Sequence, residues 1–351
     1  MENFTDLYTD YLISSFSYTT ATGLASLLSV KHDQITRCLS RGVYDSKFLW
    51  KTVKPYIQEM TQSRETVFLS FDDSIEAKPY SDESELICWH FDHSINRSVK
   101  GVNFLSALVQ TADMRLPCAV EFVRKNKWET DAKSGKQKRV ADKTKNELFR
   151  EMLLKCSEQF RFDYVMADSW YASLENMRLI RSLDVQFIMA LKSNRKVALS
   201  LKAKKAKEYI SIELLQPGRQ AMEVWLEELD FPLLLTRQVF KDEDDTVGEL
   251  YLACSDLSLS YEQINTYYKK RWGVEEYHKS VKSNVAFARS PTKTIKTQMN
   301  HFVLSIVAYV KPEWLKHRTR LNHFAMKAKI YLAAQQAAYS ELKKLSTPKA
   351  A

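Results

Sequence analysis

The sequence has no CxxC pair, and its five cysteines (Cys38, Cys88, Cys118, Cys156 and Cys254) are odd in number and widely scattered. That spacing argues against a disulfide framework or a zinc ribbon and predicts a reducing compartment. No apolar run approaches the roughly 18 residues that a membrane-spanning helix needs. The longest, His301 to Val310, meets Lys311-Pro312. The N-terminus opens with Glu2 and Asp6 and lacks the basic region of a signal peptide. No internal repeat, low-complexity segment or His/Cys cluster is present. A cytoplasmic protein is therefore predicted, without a membrane partner and, in a bacterium, with the nucleoid within reach.

What is present reads as globular, with 45% hydrophobic and 12% aromatic residues. At 351 residues the chain exceeds the usual single domain, so one large domain with appendages or two domains is expected. Lys plus Arg outnumber Asp plus Glu by 52 to 43, a net charge of +9. This basic balance favours polyanionic partners, though only modestly by itself.

Residues 1–62 read as helical. Leu24, Leu27 and Leu28 form one apolar stripe, and a second helix, capped by Asp33, repeats Ile35 and Leu39 on one face. The pair is open to two readings: packing within a small helical bundle, or a helix-turn-helix that offers Gln34, Thr36, Arg37 and Arg41 to DNA. Residues 63–195 carry strands at 66–71, 86–91, 101–109 and 117–123, the first ending at Asp72-Asp73-Ser74. A helix at 145–160 and a strand at 162–167 follow, the strand ending at Asp168. A helix at 174–183 then leads to a strand at 185–191, which ends at Lys192. Strand and helix alternating in this way predict an α/β core with a mixed sheet. From Arg124 to Lys145 nine basic residues face three acidic ones, which suits either a solvated loop or a phosphate-contacting arm. Residues 196–256 alternate as a β insertion, with strands expected at 209–214, 222–226, 233–240 and 249–254 and a turn at Asp242 to Asp245. Residues 257–312 hold a helix capped by Ser260, and 313–351 form a basic helical tail.

The run Tyr267 to Lys282, YYKKRWGVEEYHKSVK, carries the densest chemistry. With Tyr268 at zero on an ideal helix, Arg271, Glu275 and Lys282 fall near about 300°, 340° and 320°, one sector about 60° wide. Glu276, near about 80°, is the poorer ligand candidate. A phenol, a guanidinium, a carboxylate and an ammonium on one edge suit phosphate and metal chemistry. Strand-end aspartates and Glu275 then offer three carboxylates from separate elements, the donor type that magnesium prefers. Asp72 and Asp73 point to opposite faces of a strand, so only one suits a shared site. Asp73 is favoured because a hydroxyl residue follows it.

The spacing Tyr-x2-Arg-x3-Glu-x6-Lys at Tyr268, Arg271, Glu275 and Lys282 resembles the motif of bacterial insertion-sequence DDE transposases in the group like insertion sequence four. Asp73-Ser74 and Ala167-Asp168-Ser169-Trp170-Tyr171 resemble its other two motifs, and the likeness extends over roughly residues 65–310. The resemblance implies a ribonuclease H-like core with a β-strand insertion, preceded by a small helical DNA-binding domain and followed by a helical tail. It implies Asp73, Asp168 and Glu275 as catalytic metal ligands for two Mg2+ ions, with Mn2+ as a substitute. Tyr268, Arg271 and Lys282 would support them or hold DNA phosphates, and Lys192, at the end of a core strand, is open to two readings, a DNA-backbone contact or a solvated strand end. It also implies terminal inverted repeats and target DNA as substrates and a homodimeric synaptic complex. Trp225 in the insertion is open to two readings, a core side chain or a base-stacking platform. Competing functions are a metal-dependent nuclease without strand transfer and a catalytically inactive DNA-binding regulator.

Overall fold

The computed structural model describes residues 4–15, 18–62, 65–112, 114–130, 132, 135–241 and 247–346. The turn expected at Asp242 to Asp245 lies outside them. In chain order the elements are α1 (Phe4–Ser14), α2 (Ala21–Leu28), α3 (His32–Arg41), α4 (Ser46–Thr61), β1 (Phe68–Ala77), β2 (Cys88–Asp92), β3 (Arg97–Gln110), β4 (Arg115–Phe122), β5 (Lys127–Thr130), β6 (Gln137–Val140), α5 (Lys145–Ser157), β7 (Tyr164–Ala167), α6 (Leu174–Ser182) and β8 (Gln186–Leu191). They continue as β9 (Lys196–Ala198), α7 (Leu201–Lys205), β10 (Ile210–Ser211), β11 (Met222–Leu226), β12 (Leu233–Lys241), β13 (Val247–Cys254), α8 (Tyr261–Lys269), α9 (Trp272–Asn284), α10 (Ile295–Thr319) and α11 (His323–Ser346).

The chain divides into two compact units. One comprises Lys54–Ile75 and Asn103–Glu276. Its sheet runs in the order β10-β9-β11-β12-β13-β8-β7-β1-β3, with β4 on the far side of β3. β1 pairs with β7 and β7 with β8 in parallel. Every residue of β7 is buried, as are five of the six in β8, because interior parallel strands are covered on both faces. On one face α8 packs Ile264 and Tyr268 against Phe68, Tyr164, Met166 and Ile188. On the other, Phe149 of α5 meets Phe71 at 4.4 Å between ring centroids and stacks on Tyr171 at 5.4 Å. Local sequence sets the helix starts. Thr144 and Glu147 form a capping box at α5, Ser260 and Gln263 another at α8, and Ser173 caps α6. The strands of the expected β insertion continue the same sheet, through the antiparallel pairing of β13 with β8.

The other unit comprises Met1–Val53, Glu76–Val102 and Tyr277–Ala351. It is mainly helical and centres on α10, where residues 300–310 are all buried. His301 accepts from or donates to the Tyr8 hydroxyl at 2.9 Å, tying α1 to α10. Asn300 donates to the Leu39 and Gly42 carbonyls at 2.6 and 2.9 Å, holding the end of α3. None of the described helices is long and apolar enough to cross a membrane.

Five details differ from the sequence reading, the first being the strand expected at 209–214, which is only β10 (Ile210–Ser211) followed by a 3-10 turn at Ile212–Leu214. β1 does not end at Asp72 but runs on to Ala77, since the long β3 beside it offers a pairing edge past Phe71. The N-cap of α3 is Lys31, without a side-chain bond, and Asp33 lies in the first turn. Leu27 is exposed, because α2 packs through Leu24 and Ala25 instead. The motif run is not one helix. Lys270 and Arg271 donate backbone N–H bonds to Tyr267 and Tyr268, three residues back, and this tightened turn separates α8 from α9.

Gly101 of β3 passes the end of β1 closely. A Cβ there would collide with the Glu76 carbonyl and stand 3.1 Å from the Ala77 Cα, both backbone atoms that cannot swing aside. Gly101→Ala is expected to cost about 1–3 kcal/mol of stability, read as a lowered Tm. An unchanged Tm would show that the strand can part there without loss.

Candidate active site

The register of β1 on β7 pairs Phe68 with Tyr164, Leu69 with Val165 and Ser70 with Met166. Two residues further along each strand come Asp72 and Asp168, on one face by the two-residue period. Both carboxyls are pushed above their ordinary range, in each case mainly by burial. For Asp72 the charge of Asp168 comes next and Arg271 opposes, leaving it at about 8. For Asp168 the Trp170 backbone N–H, 2.9 Å from Oδ1, pulls the other way, and the Asp73 charge adds to the rise.

Arg271 stands among these groups. One terminal nitrogen is 2.6 Å from Glu275 Oε1 and the other 3.7 Å from Asp72 Oδ2. The guanidinium lies 5.5 Å over the Tyr268 ring. Its Nε is buried without a hydrogen-bond partner. Tyr268 is buried, and its hydroxyl donates to the Ala167 carbonyl at 3.4 Å, one residue before Asp168. Burial raises that phenol to about 12 despite Arg271, which keeps it protonated. Packing of Tyr268 on the sheet therefore fixes where the following turn delivers Arg271 and Glu275.

Asp73 points to the opposite face. Its Oδ2 is 2.5 Å from Lys145 Nζ, and its Oδ1 accepts from the Tyr171 hydroxyl at 2.6 Å. Tyr171 is fully buried, and its phenol is raised first by burial and then by the Asp73 charge. Trp170 is 43% exposed, with Lys145 Nζ at 5.4 Å and Lys192 Nζ at 5.8 Å from its ring. Lys192, Asn194 and Trp170 also line a cleft of about 420 Å³.

One unit thus gathers Asp72, Asp73, Asp168, Tyr268, Arg271, Glu275 and Lys192. Lys282 belongs to the other unit, where it stands 3.8 Å from Glu76. Glu276 forms an ion pair with Arg115 away from Glu275. Gln34, Thr36, Arg37 and Arg41 are all exposed on α3, opposite buried Ile35 and Leu39. Trp225 on β11 is half-buried, with Lys204 Nζ 5.4 Å from its ring. Sequence reading passed over Lys145 and Tyr171. The Thr144-x2-Glu147 capping signature would have placed Lys145 in the first turn of α5, and Tyr171 lies inside the Asp168 motif.

Among the described residues no three His, Cys, Asp or Glu side chains are arranged to hold a metal ion. The donor chemistry nonetheless fits a hard divalent cation. Asp72, Asp168 and Glu275 are oxygen donors from separate elements, and the charges of Asp168 and Glu275 both raise Asp72, a repulsion that a cation relieves. Arg271 supplies positive charge at that place in this structure.

The family model for DDE superfamily endonucleases matches residues 2–209, and that for the transposase DDE domain matches residues 130–311. No curated protein matches the chain. Among solved structures, the Drosophila P element transposase strand transfer complex is similar at 10% identity, over 59% of this chain and 49% of that one, with a TM-score of 0.27. The chain spans about half the length of that neighbour.

Removing the guanidinium leaves Asp72 buried among like charges. Arg271→Ala is expected to lower unfolding free energy by about 2 kcal/mol, less than for a fully buried pair because Glu275 is a third exposed. Chemical denaturation measures this. A loss near zero would mean that solvent already screens the cluster.

Proposed function

The chain belongs to the DDE superfamily of endonucleases, with a transposase DDE domain over residues 130–311, and on that premise we propose that it is a DNA transposase. In this reading it cleaves the ends of an insertion sequence and joins the freed 3′-hydroxyl to target DNA by two-metal phosphoryl transfer. The observation that carries it is the cluster of Asp72, Asp168 and Glu275 around Arg271, whose Nε is a buried donor without a partner. The strand order β4-β3-β1-β7-β8, with β1, β7 and β8 parallel, supports a ribonuclease H-like core. The Tyr268-Arg271-Glu275-Lys282 spacing supports the group like insertion sequence four.

The sequence favoured Asp73 as the first carboxylate. The strand register and Arg271 support Asp72, while Asp73, held by Lys145 and Tyr171, braces the neighbouring backbone. Asp72, Asp168 and Glu275 would then hold the magnesium ions, or manganese in their place. When bound, these supply Lewis-acid chemistry, activating the attacking oxygen and stabilising the leaving one. The chain's own residues do the rest. Tyr268 positions the turn, Arg271 orients Glu275 and supplies positive charge beside the carboxylates, and Lys192 adds positive charge near Trp170. The exposed face of α3, with Gln34, Thr36, Arg37 and Arg41, supports terminal-repeat binding. Lys282 as a phosphate contact rests on the motif alone. Homodimeric synapsis follows from the need to pair two ends.

Cleavage and joining of duplexes carrying the element's own flanking ends, with and without Mg2+, test this reading. Asp72→Asn, Asp168→Asn and Glu275→Gln are each expected to slow cleavage by at least about 10²-fold, and Asp73→Asn far less. A dead Asp73→Asn beside an active Asp72→Asn would return the role to Asp73. Cleavage without joining would identify a nuclease, and magnesium-independent binding without cleavage a regulator.

A further inference from the structure

Between β4 and α5 the chain leaves the main sheet and doubles back as β5 and β6. This antiparallel ribbon runs in register from Lys127 opposite Val140 to Thr130 opposite Gln137. Among the described residues it pairs with no other strand. All four residues of β5 are exposed, as are Gln137 and Lys138 of β6. A lone two-stranded ribbon is marginal in water, so its local ties matter. The Arg139 guanidinium lies 4.4 Å over the Trp128 ring, directly across the pair, and also donates to the Lys125 carbonyl at 3.5 Å. The single large ring, Trp128, is 55% exposed and occupied by that cation, so the ribbon offers no apolar core to a protein partner.

Its charge is one-sided. Nine basic residues face three acidic ones between Arg124 and Lys145. Glu129 stands opposite Lys138 and Asp142 interacts with Lys127, so the acidic residues offset part of this charge and a cationic surplus remains. The ribbon is also anchored at a telling place. Val140 is five residues before Lys145, so at most about 18 Å of chain separates the ribbon's base from the lysine whose ammonium touches Asp73, the neighbour of Asp72. A projecting ribbon rich in lysine and poor in apolar surface complements a regular polyanion.

We infer that the β5–β6 ribbon is an arm that grips the phosphate backbone of duplex DNA beside the carboxylate site, through Lys125, Lys127 and Lys136. The arm rests on the transposase reading and adds to it a contact independent of α3 and of the motif residues. Because it reads phosphates, its contribution is insensitive to sequence and depends on salt.

The test is binding of the full chain to a mixed-sequence duplex over a range of KCl concentrations. For Lys125→Ala/Lys127→Ala/Lys136→Ala the slope of log affinity against log salt is expected to flatten by about 2 to 3, near 0.9 per lost phosphate contact. The corresponding triple Arg variant should keep the wild-type slope. A wild-type slope in the triple Ala variant, or a flattened one in the triple Arg variant, overturns the arm and leaves the transposase reading standing. A wild-type chain that binds no duplex overturns both.

Discussion

Two parallel strands in fixed register hold buried carboxylates together against their own repulsion, and most of the central unit keeps them there. A one-residue slip of β1 on β7 would turn Asp72 away from Asp168 and bury Asp73 in its place. The slip is opposed by packing on both faces, since Phe68 and Phe71 face different layers and each is nearly fully buried. The register is thus fixed by hydrophobic burial, and the charged site inherits its geometry from that burial. The raised Asp72 carboxyl shows the electrostatic cost, and Arg271 is the group that offsets it.

Arg271 reaches that position because the motif run is broken. On an unbroken helix four polar groups would share one sector. The tightened turn after Tyr268 instead lets that phenol sink into the sheet-facing core while Arg271 swings back over its ring toward Asp72. Glu275, one turn into α9, then meets Arg271 in an ordinary i,i+4 pair. The spacing of the motif therefore encodes a helix-turn-helix junction, in which one anchor residue is buried and its followers are delivered to the site.

Much of this was legible in the sequence. Strand β11 falls on its expected residues, and β8, β12, α5 and α6 lie within a few of theirs, because their period and caps are local properties. Spacing also separates Glu275 from Glu276 on the helix, and in the folded chain Glu275 pairs with Arg271 and Glu276 with Arg115. What escaped was tertiary. No pattern within the chain states that Lys145 would reach Asp73 across 72 residues, or that Gln110 would bond Ser70 beneath the site. The segment from Arg124 to Lys145 was open to two readings because its polar strands lack the apolar alternation that marks a half-buried strand, and β5 and β6 bury almost nothing.

The adjacent Asp72 and Asp73 show why such a pair resists local reading. Strand geometry guarantees that the two point apart but gives no indication of which face will be short of positive charge. In the folded chain each face has its own cation. Lys145 and a phenol hydroxyl meet Asp73 closely enough to satisfy both of its oxygens. Arg271 approaches Asp72 only to 3.7 Å while bonding Glu275 at 2.6 Å. One carboxylate is therefore engaged by two side chains, while the other, buried and crowded, accepts the Asp73 backbone N–H on Oδ1 at 2.9 Å and has its cation further off, so its charge is incompletely paired. An incompletely paired acid is costly for folding, and it is the kind of group whose stability gains most from a bound cation. The chemistry of the pair is divided by what packs on either side of one strand.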